Sequence, residues 1–168
     1  ITSIGNLRIG DEIAAGTSLQ ALFMDMLSQR LQPADPTNPA ASITLYMDGA
    51  TKKSAAGAVE VGTTVTPSYT ASLSAGSYTY GPATGITASS WEISDTDGNK
   101  ASAASGKFAE ITVGDSTNYR IAAKANYAAG AIAVDNLGDP SNPTIQIAAG
   151  SKSANGGYIT GYRAWFMY

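Results

Sequence analysis

The run Asp95-Thr96-Asp97-Gly98-Asn99 gathers oxygen-bearing side chains around a glycine, the composition of a loop that could hold a hard cation such as calcium. An EF-hand loop places its glycine sixth and a glutamate twelfth. Here the glycine comes fourth, and Gly106 stands at the twelfth position. A hairpin turn accounts for the run more simply, with an incidental calcium site as the alternative. Covalent chemistry has less to work with. The chain has no His and no Cys, which excludes imidazole bases, thiol nucleophiles and zinc sites of the Cys/His kind. No serine lies in a Gly-x-Ser-x-Gly or Ser-x-x-Lys setting. Gly106-Lys107 lacks the upstream glycine and the following Ser or Thr of a phosphate-binding loop. The chain contains 13 Asp and Glu residues, of which two could in principle serve a glycosidase. Most of them fall in turns or at wet strand positions. No catalytic activity, cofactor or metal is expected.

Binding chemistry is better represented. Tyr46, Tyr78, Tyr80, Tyr158 and Tyr162 offer flat amphipathic rings that could stack on sugars, although strand interiors and subunit interfaces use tyrosine for the same reasons. Lys52-Lys53 reads as a solvated turn. The net charge of −3 gives no reason to expect a nucleic-acid partner, and no stretch approaches the roughly 18 apolar residues of a membrane span.

At 168 residues the chain has the length of about one domain with a small appendage. Charged residues make up 14 %, against roughly 25 % in an average soluble domain. Ala, Gly, Ser and Thr dominate instead. The chain opens at Ile1 and closes on Ala164-Trp165-Phe166-Met167-Tyr168. Both ends are expected to be cut from something longer, because exposed Trp, Phe, Met and Tyr call for cover.

A helix is expected at about 17–32. Leu19, Leu22, Phe23, Met26, Leu27 and Leu31 recur at three- and four-residue steps and form an apolar stripe. Thr17 and Gln20 have capping-box spacing, and Pro33 stops the run. The stripe needs a partner, either the chain's own body or a neighbouring subunit. Ahead of it, Ile4, Leu7, Ile9 and Ile13 suggest a short strand or arm. Residues 32–39 hold Pro33, Pro36 and Pro39 and read as an extended, semi-rigid linker.

From Ser42 onward the period becomes two. Ile43, Leu45 and Met47 alternate with polar neighbours. The same holds for Val65 to Leu73, for Trp91 and Ile93, and for Tyr119, Ile121, Ala123, Ala125 and Tyr127. Each run is a strand with one dry face. Weaker strands are expected near 58–62, 77–81, 107–113, 131–134, 144–148 and 157–166. Asp48-Gly49, Gly76-Ser77, Asp97-Gly98, Gly114-Asp115 and Asp139-Pro140 supply the turns. Many short strands with a central Trp suggest an antiparallel sandwich. Asp115-Ser116-Thr117-Asn118-Tyr119 has the form of a tyrosine corner, with Tyr119 bonding to upstream backbone. Ile121 then stands where antibody domains place a cysteine, and Trp91 takes the core position of strand C, with generic core packing as the plainer alternative. The expected fold is mainly β: an antiparallel immunoglobulin-like sandwich over 40–168, preceded by an arm, 1–39, that carries one amphipathic α-helix.

Several stretches together resemble tail or fibre-type virion proteins of gut bacteriophages. They are Gly16-Thr17-Ser18-Leu19 and Gly76-Ser77-Tyr78-Thr79-Tyr80-Gly81-Pro82, then Trp91 and Asp115 to Tyr119. Ile147-Ala148-Ala149-Gly150-Ser151-Lys152-Ser153 and Ile159-Thr160-Gly161-Tyr162-Arg163 complete the set. The resemblance touches most of the chain and implies a particle-building, oligomeric protein without enzymatic activity. On this reading Leu19, Leu22, Phe23, Met26, Leu27, Trp165 and Phe166 form the subunit interface. Trp91, Tyr119 and Ile121 form the core. The partners would be further copies of the chain and other virion proteins, with a host-surface glycan as an additional ligand. A secreted or bacterial cell-surface adhesion module that binds carbohydrate is the alternative.

Overall fold

The computed structural model describes residues 3–4, 7–8, 10–28 and 30–165. The chain is mainly β, with 43 % of residues in strands and 7 % in helix. In chain order the elements are β1 (Ser3–Ile4), β2 (Leu7–Arg8), α1 (Leu19–Leu27), β3 (Ala40–Tyr46), β4 (Ala58–Glu60), β5 (Thr64–Val65) and β6 (Ser68–Ser74). There follow β7 (Ala88–Asp95), β8 (Lys100–Ala101), β9 (Ser105–Lys107), β10 (Ile111–Thr112), β11 (Asn118–Tyr127) and β12 (Gly150–Tyr162). A five-stranded sheet runs β4-β12-β11-β7-β8, and a three-stranded sheet runs β3-β6-β9. Pairing is antiparallel except between β12 and β4. Two small ribbons, β1-β2 and β5-β10, complete the set.

Alternation decides which faces are dry. In β11 every second residue from Tyr119 to Tyr127 is buried, as the period of two requires. The side chains of Tyr119, Ile121 and Ala123 meet Ile43 and Leu45 of β3, Tyr69 and Ala71 of β6, Ile93 of β7 and Ile159 of β12 in one core, while Tyr127 packs with Ile86 and Ile147 in a second, smaller cluster. A core shared by two sheets explains why neither carries a long apolar run.

The chain also ties the two sheets together at both edges. Segment 54–56 bonds to the end of β3, through Ala56 N to Leu45 O at 2.8 Å. It then enters β4 beside β12. On the far side β8 leads directly into β9, which belongs to the other sheet. Edges covered in this way leave few unpaired backbone groups. In β12 one extra residue is inserted at Gly156-Gly157, opposite Ile121. Such a bulge bends the strand locally, and a side chain on Gly156 would press on Ile121 and Leu45.

Four expectations change. Val65 to Leu73 is not one strand: Pro67 interrupts it, and its halves join different sheets, β5 with β10 and β6 with β3 and β9. Residues 77–81, 131–134 and 144–148 contribute isolated bridges rather than strands. The final strand starts at Gly150, well before 157. Its first half was hidden because Lys152, Ala154 and Gly156 carry no apolar alternation. Lys52, expected to be solvated, folds back so that Nζ donates to Tyr69 O at 3.0 Å and to Thr70 Oγ1 at 3.2 Å.

Candidate functional site

Helix α1 is shorter than the 17–32 its stripe suggested. Ser18, not Thr17, caps it: Ser18 Oγ accepts from Ala21 N at 3.1 Å, while Thr17 Oγ1 donates back to Ala14 O at 2.7 Å. At the other end Ser28 turns extended (ψ 128°), and its hydroxyl and amide both donate to Met24 O. That local bonding competes with continued helix and removes Leu31 from the stripe. Of the remaining residues, Leu22 and Met26 are half-buried. Leu19 is 67 % exposed, Phe23 52 % and Leu27 80 %. Trp165, at the far terminus, is 88 % exposed. Phe166 lies outside the described residues.

The segment after α1 is extended, and it is fastened along its length. Arg30 Nη1 donates to Asp135 Oδ2 at 2.8 Å and Nη2 to Asp139 Oδ2 at 2.6 Å. Leu31 and Asn136 exchange two bonds: Leu31 N to Asn136 Oδ1 at 2.7 Å and Asn136 N to Leu31 O at 3.2 Å. Gln32 Oε1 accepts from Asn142 N, and Ala34 N donates to Thr79 Oγ1. Thr37 and Ser77 then form a two-bond bridge. Gly76 makes room for it: its φ is +74°, and any Cβ there would collide with Thr37 O. Apart from the buried Pro33 and Pro39, the arm is therefore held mainly by polar contacts.

In the body, Tyr119 and Ile121 are buried, at 3 % and 0 % exposure. The tyrosine differs from the expected corner. Its hydroxyl donates to Asp95 Oδ2 at 2.9 Å, a side chain on the neighbouring strand, rather than to upstream backbone. Register explains this, because Ile121 pairs with Asp95 and Tyr119 lies diagonally beside it. Burial, and after it the Asp95 carboxylate, pushes the Tyr119 hydroxyl pKa far above its ordinary value. Asp95 Oδ1 accepts from Asp97 N at 3.0 Å and Asn99 N at 2.7 Å, and Oδ2 also accepts from Asn99 Nδ2. The Asp95 to Asn99 run is thus a turn organised around its own carboxylate. Among the described residues no three His, Cys, Asp or Glu gather as a metal site. Trp91 is half-buried at the edge of the core, and Ile93 takes the fully buried place on β7.

The tyrosines divide. Tyr78 is used internally, its hydroxyl donating to Ala131 O and accepting from Ile147 N. Tyr158 and Tyr162 stay on the surface, at 46 % and 49 % exposure. Arg120 lies over the Tyr158 ring, 5.4 Å from its centroid, and Nη1 donates to the hydroxyl at 3.0 Å. Nearby a trough of about 640 Å³ crosses β8, β7, β11 and β12. Ile93, Ala101, Ala123 and Ala154 face the core, so the trough lies on the outward side of that sheet. The Asn126 amide and the Lys124 ammonium hold the Glu92 carboxyl at its rim below the usual range.

Comparison of the chain with protein-family models, curated proteins and solved structures yields no match. Among the described residues no helix is long and apolar enough to cross a membrane. Arg30, Asp135, Asp139 and the trough were missed from sequence. One signal was available for the first group: Asp135-Asn136-Leu137-Gly138-Asp139 repeats the Asp-x-x-Gly-Asn/Asp form of 95–99.

Proposed function

We propose that the chain is a structural, oligomer-forming component of a bacteriophage particle, in its tail or fibre or attached to its capsid, without catalysis. Its body is an immunoglobulin-like sandwich. The phage assignment rests on the motif resemblance. The observation that carries assembly is α1. Nine residues form a helix that is marginal in water by itself, yet Leu19, Phe23 and Leu27 remain exposed. A surface supplied by another subunit would satisfy both facts. The charge-poor composition fits, since interface cores are depleted in charge.

Connectivity supports the finer fold reading. Strands β3, β6 and β9 correspond to A, B and E of one immunoglobulin sheet, and β7, β11 and β12 to C, F and G of the other. β8 extends the second sheet beyond C, and β4 runs parallel to β12 on its opposite edge.

Sedimentation velocity at micromolar concentration tests the assembly reading. The chain should self-associate, and Leu19→Ser/Phe23→Ser/Leu27→Ser should be monomeric with an unchanged thermal midpoint for the body. A monomeric parent chain with an ordered 19–27 helix would remove the reading's support.

A further inference from the structure

The outward face of the five-stranded sheet is graded into rows by its register. Ala122 pairs with Ser94 on one side and Asn155 on the other, and Ser94 pairs with Lys100. Ser94, Ala122 and Asn155 form a floor of short side chains across three strands, and Lys100 on β8 closes the row. One wall is the next row, Glu92 with Lys124, joined at 3.1 Å and braced by Asn126 Nδ2 on Glu92 Oε1 at 2.9 Å. On the opposite side the next row is Arg120 with Tyr158, paired in register, locked to each other as described and lying beyond the lining itself. Strand spacing makes the row from Asn155 to Lys100 about 14 Å long, and the flanking rows at Lys124 and Arg120 stand about 13 Å apart at the backbone.

We propose that this trough binds an acidic oligosaccharide, a sugar chain bearing carboxylate groups. Three observations select that chemistry. First, Lys100 and Lys124 in the lining face Glu92 alone, and Arg120 stands in the adjoining row, an excess of positive charge on a chain whose net charge is −3. Second, the floor and the wall offer hydroxyl and amide groups, from Ser94, Asn155 and Ser153, that both donate and accept. Third, the partly exposed Tyr158 ring stands in the row beside the floor, paired with Arg120, where an amphipathic ring can pack on a pyranose face. Other occupants fit less well. An added peptide strand would lie along a sheet edge rather than across this face: β7 and β11 under the floor are paired on both sides, and the strand edges left over are those of β12 before Thr160 and of β8. Two excess cations are few for a nucleic-acid backbone. A second copy stacked about a two-fold axis would set like charges against each other.

The site stands apart from the assembly reading, and it is tested on the intact chain. A panel of short uronate- and sialate-containing oligosaccharides is titrated at low salt by amide chemical shifts. A neutral tetrasaccharide and oligo-dT are run in parallel. An acidic sugar should shift Ser94, Ala122 and Asn155 and should weaken as salt rises. Lys100→Gln should lower affinity roughly five- to ten-fold. Ala122→Tyr, which fills the floor, should abolish binding, while Thr44→Tyr on the other sheet should leave it unchanged. Failure of every acidic sugar at about millimolar concentration would overturn the proposal. So would undiminished binding by folded Ala122→Tyr, or equal affinity for the neutral sugar or oligo-dT.

Discussion

Loops 95–99 and 135–139 share one hydrogen-bond plan. In each, the first aspartate's N–H donates to the carbonyl of the fifth residue, at 3.1 and 2.8 Å. The fourth-position glycine donates to the aspartate carbonyl, at 3.3 and 3.1 Å. In each, Oδ1 of the aspartate accepts from the amides of the third and fifth residues. Gly98 and Gly138 both have positive φ, 86° and 94°. The loops part at Oδ2. Asp95 receives Tyr119, a buried hydroxyl on an adjacent strand of the same sheet. Asp135 receives Arg30, a cation from the arm 105 positions away. The same loop chemistry thus serves as an internal rivet in one place and as a receptor for a separate segment in the other. What distinguishes a structural carboxylate from a docking one is the origin of its last partner.

The largest effect is expected at the rivet. Asp95→Ala removes an acceptor from two loop amides, from Asn99 Nδ2 and from Tyr119, and it leaves a buried hydroxyl unsatisfied. Together these losses should cost about 3–5 kcal/mol of global stability. Urea unfolding followed by tryptophan fluorescence measures it. A loss below about 1 kcal/mol would mean that the loop re-forms its bonds elsewhere and that the distinction between the loops is false.

Tyr119→Phe isolates one bond of that rivet and should cost about 1–2 kcal/mol. Its pH signature is sharper. The folded pKa of Tyr119 is raised above the unfolded value of about 10.0 by burial first and then by Asp95. A raised pKa favours the protonated, folded state. The associated stability is therefore fully present below pH 10 and is lost as pH climbs above it. Tyr69 is also raised by burial, so the variant should retain part of the alkaline decline. Parallel stability-versus-pH curves for parent and variant would show that Tyr119 contributes nothing to it.

Much of this was legible locally. The alternation Tyr119, Ile121, Ala123, Ala125, Tyr127 places β11 and its dry face directly, and Ile43 with Leu45 does so for β3. Asp95-Thr96-Asp97-Gly98-Asn99 reads as a turn from its composition alone. The partner of Asp135 did not read out, because a pairing over 105 positions leaves no local periodicity. The arm was misjudged for a related reason. The apolar stripe runs on to Leu31 in sequence, but two bonds from Ser28 to Met24 O end the helix and free residues 30–34 for the body. The trough is invisible for a third reason: its floor consists of Ser94, Ala122 and Asn155, whose only common property is their place in the cross-strand register.

Arg30→Met carries the smallest global effect and bears most directly on the receptor loop. It removes the guanidinium bonds to Asp135 and Asp139 while keeping an unbranched stem. Asp135 then loses a partner inside the protein, its side chain being fully buried beside an Arg30 that is 11 % exposed. Stranding a buried charge is normally costly, but here the arm can lift and let water reach the carboxylate. The loss should therefore appear as local opening, with global stability falling by about 1 kcal/mol or less. Hydrogen exchange resolves the two. Amides of Leu31, Ala34, Thr37, Asn136 and Asn142, which are bonded across the arm-to-body contact, should lose protection together, while those of β11 keep theirs. A global drop as large as that of Asp95→Ala would make Arg30 a second rivet. Unchanged protection would mean that Pro33, Pro39 and the Thr37–Ser77 bridge hold the arm without it.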